Sequence, residues 1–331
     1  MPPRSEFASR GGPFVFPPMS SNPARSTAQP ANTEKFQPPP VVTRDEEKKV
    51  EERVAINAHV VYEAIRREGE EELSRPDAAL AWSGLAAGLS MGISFIAQGL
   101  LKAQLPNVAW ATLISNAGYA VGFLVIVLGR QQLFTENTLT VILPLIQHPD
   151  PRNFSRVLRL WAIVLSANLI GTYLVAACLA KVALFDDRVV QALTEIGRAH
   201  VTSGFGIVLV RAIFAGWLIA LMVWLLPGAD SSRVSIIIIL TYVIGLGGFN
   251  HIVAGSTTVF YLVVKDSLPW GRYFHQFFLP TLLGNIIGGV TLVSALAHAQ
   301  VVGGRDAPSK KANAPANLSS GSKRSRFFLS K

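Results

Sequence analysis

The chain has 331 residues, 50% of them hydrophobic and 15% charged, with a formal net charge of +9. Its charges gather toward the ends and leave long apolar stretches between them, which excludes an ordinary soluble globule and identifies a membrane protein. The basic excess lies in tails without a recognition motif, so it points to anionic lipid at a membrane surface and away from a nucleic-acid partner.

The first 40 residues hold ten of the 20 prolines. With so little apolar surface to bury, residues 1–43 are expected to form a disordered cytoplasmic tail. The tail lacks the apolar core of a secretory signal, so the first membrane span should direct insertion. Over 44–75 the composition turns to Glu, Lys and Arg, with Val50, Val54, Val61 and Ile65 recurring near helical spacing. This predicts an amphipathic juxtamembrane helix, at the cytoplasmic face or on a neighbouring subunit, with a solvated charged helix as the equal alternative.

Residues 76–302 form the expected transmembrane domain. The stretches 78–101, 108–128 and 160–180 contain no Asp, Glu, Lys or Arg, and each can cross a hydrocarbon core of about 30 Å as a helix. Residues 199–226 carry Arg211 alone, 234–264 carry His251 and no formal charge, and 276–298 are again apolar. Six spans place both ends on one side. Lys and Arg on that side number 11 before the first span, three at Arg152, Arg156 and Arg159, one at Arg233 and seven after the last span. The other side holds six, at Lys102, Lys181, Arg188, Arg198, Lys265 and Arg272. The positive-inside bias therefore predicts cytoplasmic termini. Residues 303–331 read as a disordered basic cytoplasmic tail. Cys178, the single cysteine, excludes an intrachain disulfide and reads as a buried small apolar residue.

Two of the spans are interrupted, by Gln131-Gln132-Leu133-Phe134-Thr135-Glu136-Asn137 and by Gly247-Gly248-Phe249-Asn250-His251. As one helix, residues 234–264 would run about 46 Å, well beyond a membrane core. A break near Gly245 to His251 removes the excess, and a half-helix from about Thr138 to Gln147 would follow the first break. Irregular backbone at membrane depth is tolerated where protein buries it or where it lines a pathway, so the paired breaks predict a transport site. The half-helices would begin near the midplane, with unsatisfied amides favouring an anion. Asn168-Leu169-Ile170-Gly171 in the third span returns as Asn285-Ile286-Ile287-Gly288 in the sixth. The expected fold is an all-α membrane protein of six transmembrane helices in two inverted three-helix repeats, with helices 2 and 5 broken, an aquaporin-like arrangement.

These residues resemble the formate/nitrite transporter family over about 78–300. Leu133-Phe134-Thr135 with Asn137-Thr138 is similar to that family's loop in its broken second helix, and Phe249-Asn250-His251 to its signature in the fifth. Asn168 to Gly171 and Gly284 to Gly289 match its glycine-rich third and sixth helices. The resemblance implies a homopentamer with one pore per subunit, passing small monovalent anions such as formate, nitrite or hydrosulfide across the bacterial inner membrane. With its departures the pattern resembles a divergent inner-membrane branch, the YfdC-like group. Gln132 stands where an acidic residue is usual, Asn250 where Glu precedes the histidine, and Gly255 where Asn is frequent. A family lysine aligns with His200 and a pore asparagine with Gly216.

His251 is the residue expected to carry the mechanism, because imidazole exchanges protons near neutral pH and intramembrane ionisable groups are rare without function. The expected sequence is that the anion gathers at a positive mouth, His251 supplies or relays a proton, and the neutral acid passes. Thr135 either hydrogen-bonds substrate or caps a half-helix, and Asn137 serves equally as the cap. Leu133 and Asn250 complete the substrate pathway, with Phe134 and Phe249 as its apolar constriction and Tyr119 and Phe123 as weaker candidates. Glu136, Arg130, His200 and Arg211 are candidate mouth or gating residues, and Glu136 is a candidate partner for either arginine. The expected partners are a small monovalent anion, a proton and the lipid bilayer, with no cofactor or metal. A neutral-solute channel of the aquaporin type lacks its Asn-Pro-Ala pair here, and an enzyme would need a nucleophile or metal motif that does not occur. The neutral-solute channel and a membrane scaffold or sensor that keeps the fold without flux stand as the two alternatives.

Overall fold

The structure is a computed structural model that describes residues 58–229 and 231–305, so the expectations for 1–43, for 44–57 and for the basic tail beyond Arg305 lie outside the described residues. Every regular element among the described residues is helical. Helix α1 (Ala58–Ser74) precedes the spans. Its Val61, Tyr62, Ile65 and Leu73 are buried, while Arg66 and Arg67 bond Glu63 and Glu70 on the opposite side. The apolar face packs with Leu139, Leu143, Ala220, Val223 and Trp224 of the chain's own domain. A solvated helix is thereby replaced by a docked one, because the apolar stripe finds a matching surface.

Helices α2 (Asp77–Gln104), α3 (Ala111–Leu128), α6 (Pro151–Lys181) and α8 (Phe205–Leu225) are long and apolar enough to cross a membrane. After α3 come the short helices α4 (Phe134–Thr140) and α5 (Ile142–Gln147). Two shorter apolar helices, α9 (Arg233–Leu246) and α10 (Ile252–Val264), flank the second break. Helix α11 (Leu279–Arg305) is entered through a π-helical stretch, Tyr273–Phe278.

One element was not anticipated. Helix α7 (Asp187–Ala199) lies between α6 and α8, capped by the Asp186 side chain and packed through Val189, Ala192 and Leu193. The fourth span accordingly starts at Phe205 and not near residue 199. Cys178 is exposed on α6, contrary to its expected burial. Leu174 beside it is also exposed while Ala176 and Leu179 are buried, so the rotation of α6 places the thiol on the outward apolar face.

The close helix pairs are α2 with α6 and α8 with α11. A side-chain carbon at Gly88 or Gly171 would overlap the facing backbone, as would one at Gly216 or Gly288. Such small-residue contacts let helices approach where lipid supplies no hydrophobic drive. They bring Asn168 of α6 and Asn285 of α11, both fully buried, to the two breaks.

Candidate functional site in the paired helix breaks

The breaks have the same backbone. Helix α3 ends with Gly129 at φ −79° and Arg130 at φ 49°. Helix α9 ends with Gly247 at φ −74° and Gly248 at φ 59°. The amide of Gln131 reaches back to the Ile126 carbonyl, and the amide of Phe249 to the Ile244 carbonyl, so both are left-handed helix caps. The chain then runs extended to Leu133 (φ −106°, ψ 124°) and to His251 (φ −105°, ψ 128°), where α4 and α10 begin.

Each restart is held by an asparagine from another helix. Asn168 Oδ1 accepts from the Phe134 amide at 2.9 Å, while its Nδ2 donates to the Gln132 carbonyl at 2.9 Å and the Gly84 carbonyl at 2.7 Å. Asn285 Oδ1 accepts from the Ile252 amide at 2.8 Å, and its Nδ2 donates to the carbonyls of Asn250 at 2.9 Å and Ala212 at 2.8 Å. Buried backbone groups that leave helical geometry must find partners, and one amide side chain serves two of them in each break while also bonding a carbonyl of α2 or α8. Two expectations change as a result. The first half-helix starts at Phe134, not near Thr138, and the first amide of each half-helix is bonded to protein instead of awaiting an ion. Neither Thr135 nor Asn137 is the cap; Asn137 donates to Gln132 Oε1 at 2.9 Å and lies inside the first turn.

Thr135 and His251 meet across the two breaks. Thr135 Oγ1 and His251 Nε2 are 2.7 Å apart, and both residues are fully buried. His251 Nδ1 accepts from the Ala254 amide at 3.1 Å. An Nδ1 that accepts carries no proton, so in the neutral imidazole the proton sits on Nε2 and is donated to Thr135 Oγ1. Among the described residues no acceptor takes the Thr135 hydroxyl proton. The Phe123 ring lies edge-on to the imidazole, 5.1 Å between centroids, and Tyr119 follows at 5.3 Å from Phe123.

Cavities open on either side of this pair. One, of about 480 Å³, lies beneath α1 and is lined by Glu68, Glu72, Arg130, Gln132, Glu136 and Arg233, among others. The second, of about 340 Å³, lies beside α7, with Lys102, Tyr119, Glu195, His200, Arg211 and Phe249 in its wall. Val127 and Ile237 reach the first cavity, and Tyr119 and Ile244 the second. Seven or eight residues separate them along each helix, so the closed layer holding Thr135 and His251 is about 10 Å thick.

The other candidates scatter over this frame. Phe249 stacks on Phe214 at the second cavity, with centroids 5.3 Å apart. Phe134 packs edge-on against Trp161 at 5.8 Å and lines neither cavity, whereas Phe123, a weaker candidate from sequence, touches the histidine. Leu133 is buried in the core. Asn250 Oδ1 faces His200 Nδ1 at 3.4 Å. Glu136 and Arg211 line opposite cavities, so they cannot pair; nor does Glu136 pair with Arg130. Among the described residues, Glu136 Oε1, Gln131 Oε1 and Arg233 Nε are buried without hydrogen-bond partners on residues that line the first cavity.

Several residues at the site were not among the candidates. Asn168 and Asn285 were visible as a repeated motif, but a motif does not say what a side chain bonds. Glu72 of α1 accepts from Gln132 Nε2 at 3.0 Å and Thr140 Oγ1 at 2.6 Å. Burial pushes its carboxyl up to about 7, against those two hydrogen bonds. A carboxylate from α1 thus bonds to Gln132, the position at which the sequence lacks the family's acidic residue. Two glycine departures have steric counterparts. A side-chain carbon at Gly216 would overlap the Asn285 backbone, and one at Gly255 would overlap the Phe277 ring.

Comparison with known proteins identifies the family. Residues 59–299 match the model of the family described as formate/nitrite transporter. The inner membrane protein YfdC of Escherichia coli (strain K12) is 41% identical over 251 residues, covering 76% of this chain and 81% of that protein. The formate channel BtFdhC of Bacillus thuringiensis is 24% identical over 239 residues, covering 70% of this chain and 91% of its own. A solved pentameric formate channel with formate bound shares the fold at a TM-score of 0.59 and 17% identity, over 72% of this chain and 99% of that one. On the family match and the 41% relative, the chain belongs to the formate/nitrite transporter family.

Proposed function

We propose that this chain is a pathway for small monovalent anions of weak acids, formate and nitrite among them, across a bacterial inner membrane. The observation that carries the reading is the buried Thr135–His251 hydrogen bond between two cavities. An anion stripped of water in the closed layer faces a desolvation cost of several kcal/mol, which its neutral conjugate acid largely escapes. Passage is therefore proton-assisted. With His251 as imidazolium, the substrate takes the Thr135 hydroxyl proton, His251 returns its Nε2 proton to Thr135, and the imidazole is left neutral. The neutral acid then crosses and releases its proton in the far cavity. Protonating Nδ1 beforehand requires release of the Ala254 amide. The neutral tautomer supplies only a hydrogen bond.

The matched cap geometry of the two breaks and the matched asparagine bonds support six spans in two inverted three-helix halves. The Lys and Arg distribution supports cytoplasmic termini. The pentameric relative supports a homopentamer in the lipid bilayer, as do exposed outer side chains such as Ile170, Leu174, Phe214 and Trp217. Membership of a transporter family supports a non-enzymatic role without cofactor or metal.

The test is uptake of formate, nitrite, hydrosulfide and acetate into proteoliposomes at external pH of about 5.5 and 7.5, which brackets the histidine range. Thr135→Val, Thr135→Ser and His251→Ala serve as matched variants. Saturable uptake favoured at the lower pH, lost in Thr135→Val and His251→Ala and kept in Thr135→Ser, is the expected result. Leak-level flux of every anion from folded pentamers would refute the proposal and favour a scaffold or sensor.

A further inference from the structure

The α7-side cavity holds three side chains able to carry positive charge, and they are not equivalent. Lys102 Nζ lies 3.2 Å from Glu195 Oε2, so its charge is offset locally. His200 is a weak base that faces Asn250. Arg211 presents a planar guanidinium. Its Nη1 donates to Ser203 Oγ at 3.2 Å, and among the described residues no carboxylate lies within ion-pairing distance of its guanidinium. The sequence suggested Glu136 as a partner, but Glu136 belongs to the opposite cavity. A half-buried arginine within an apolar helix is costly unless something answers its charge. Its five donors, of which the structure engages one, suit a planar two-oxygen anion. The same cavity is walled by Gly247, Gly248 and Phe249, the residues that lead to His251.

We propose that Arg211 is the anion-docking residue of the α7-side cavity, holding a small planar oxyanion of the carboxylate or nitrite class before it enters the closed layer. This assignment rests on reading the chain as an anion pathway.

The test is formate uptake into proteoliposomes over a wide concentration range by wild type, Arg211→Gln and Arg211→Lys. The half-saturating concentration should rise about tenfold or more in Arg211→Gln and by a smaller factor in Arg211→Lys, which keeps the charge and loses the two-pronged contact. The maximal rate should change less than the half-saturating concentration. An unchanged half-saturating concentration in Arg211→Gln, or Arg211→Lys behaving like Arg211→Gln, would overturn the assignment.

A second measurement does not depend on formate flux. Thr112→Cys in a Cys178→Ser background places a thiol in the same cavity, and its reaction rates with anionic and cationic methanethiosulfonate reagents are compared in detergent. Removing Arg211 should lower the anionic-to-cationic rate ratio about fivefold, as expected for one charge about 10 Å away in a watery cavity. Adding formate should slow the anionic reagent only while Arg211 is present. If wild type carries no formate, the proposed function fails while this measurement still decides the docking residue. A ratio unchanged by Arg211→Gln would overturn it.

Discussion

Replacing Asn285 by alanine should destabilise the protein more than a typical buried polar substitution, because one side chain satisfies three backbone groups. The Ala212 carbonyl keeps its intrahelical bond. The Ile252 amide and the Asn250 carbonyl lose the partners that lie at 2.8 and 2.9 Å. Both belong to buried residues, Asn250 at 2% exposure and Ile252 at 0%. Orphaning a buried donor or acceptor costs about 1–3 kcal/mol, so the pair is worth about 4 kcal/mol. At roughly 2–4 °C per kcal/mol for a chain of this size, the apparent melting midpoint in detergent should fall by about 10 °C. Asn168→Ala should fall by a similar amount, because the Phe134 amide and Gln132 carbonyl are the equivalent orphans. Asn285→Asp keeps the acceptor for Ile252 and loses both donors, so it should also be destabilised. Midpoints within about 2 °C of wild type for both alanine variants would refute the idea that these side chains hold the breaks.

Three further outcomes follow from the same geometry. The folded-state pKa of Glu72 is raised from 4.5 to about 7, so its contribution to docking α1 is full below the lower value and lost as pH rises to the upper one. Amide exchange in α1, corrected for the intrinsic rate, should reveal opening that grows up to about tenfold per pH unit through that window and then levels. Glu72→Gln should flatten the profile, and a profile unchanged in that variant would exclude Glu72 as its source. Gly255→Ala drives a methyl group into Phe277 and should cost about 1–3 kcal/mol, with Phe277→Leu recovering most of it in the double variant. Thermal midpoints that are simply additive would argue against the contact. Arg130 holds a left-handed backbone that glycine takes at the equivalent place in the second break. Arg130→Gly should therefore gain up to about 1 kcal/mol, and Gly248→Ala should lose about as much or more, measured in the same thermal assay. A loss in Arg130→Gly would mean that its side chain outweighs the strain.

Much of this architecture was legible before any coordinates, and the reason is local. The apolar helices follow from charge-free stretches, and the second break from a segment too long for the bilayer with glycines inside it. Arg130 carries no such signal, so the sequence pattern sets the first break a few residues late. The repeated Asn-x-x-Gly motif marked the correspondence between α6 and α11 without revealing its use. That use depends on which residues face the breaks once α2 packs on α6 and α8 on α11.

Composition, hydropathy and turn chemistry determined that this is a helical membrane protein with two matched interruptions and a histidine in one of them, because those properties belong to segments that act before they touch one another. Tertiary packing alone decided that Thr135 meets His251, that asparagines from other helices cap both restarts, and that Arg211 and Glu136 occupy opposite cavities. It also decided that Cys178 points outward and that α1 docks through Glu72. Each of these depends on helix rotation and on partners far apart in the chain, which a linear pattern does not encode.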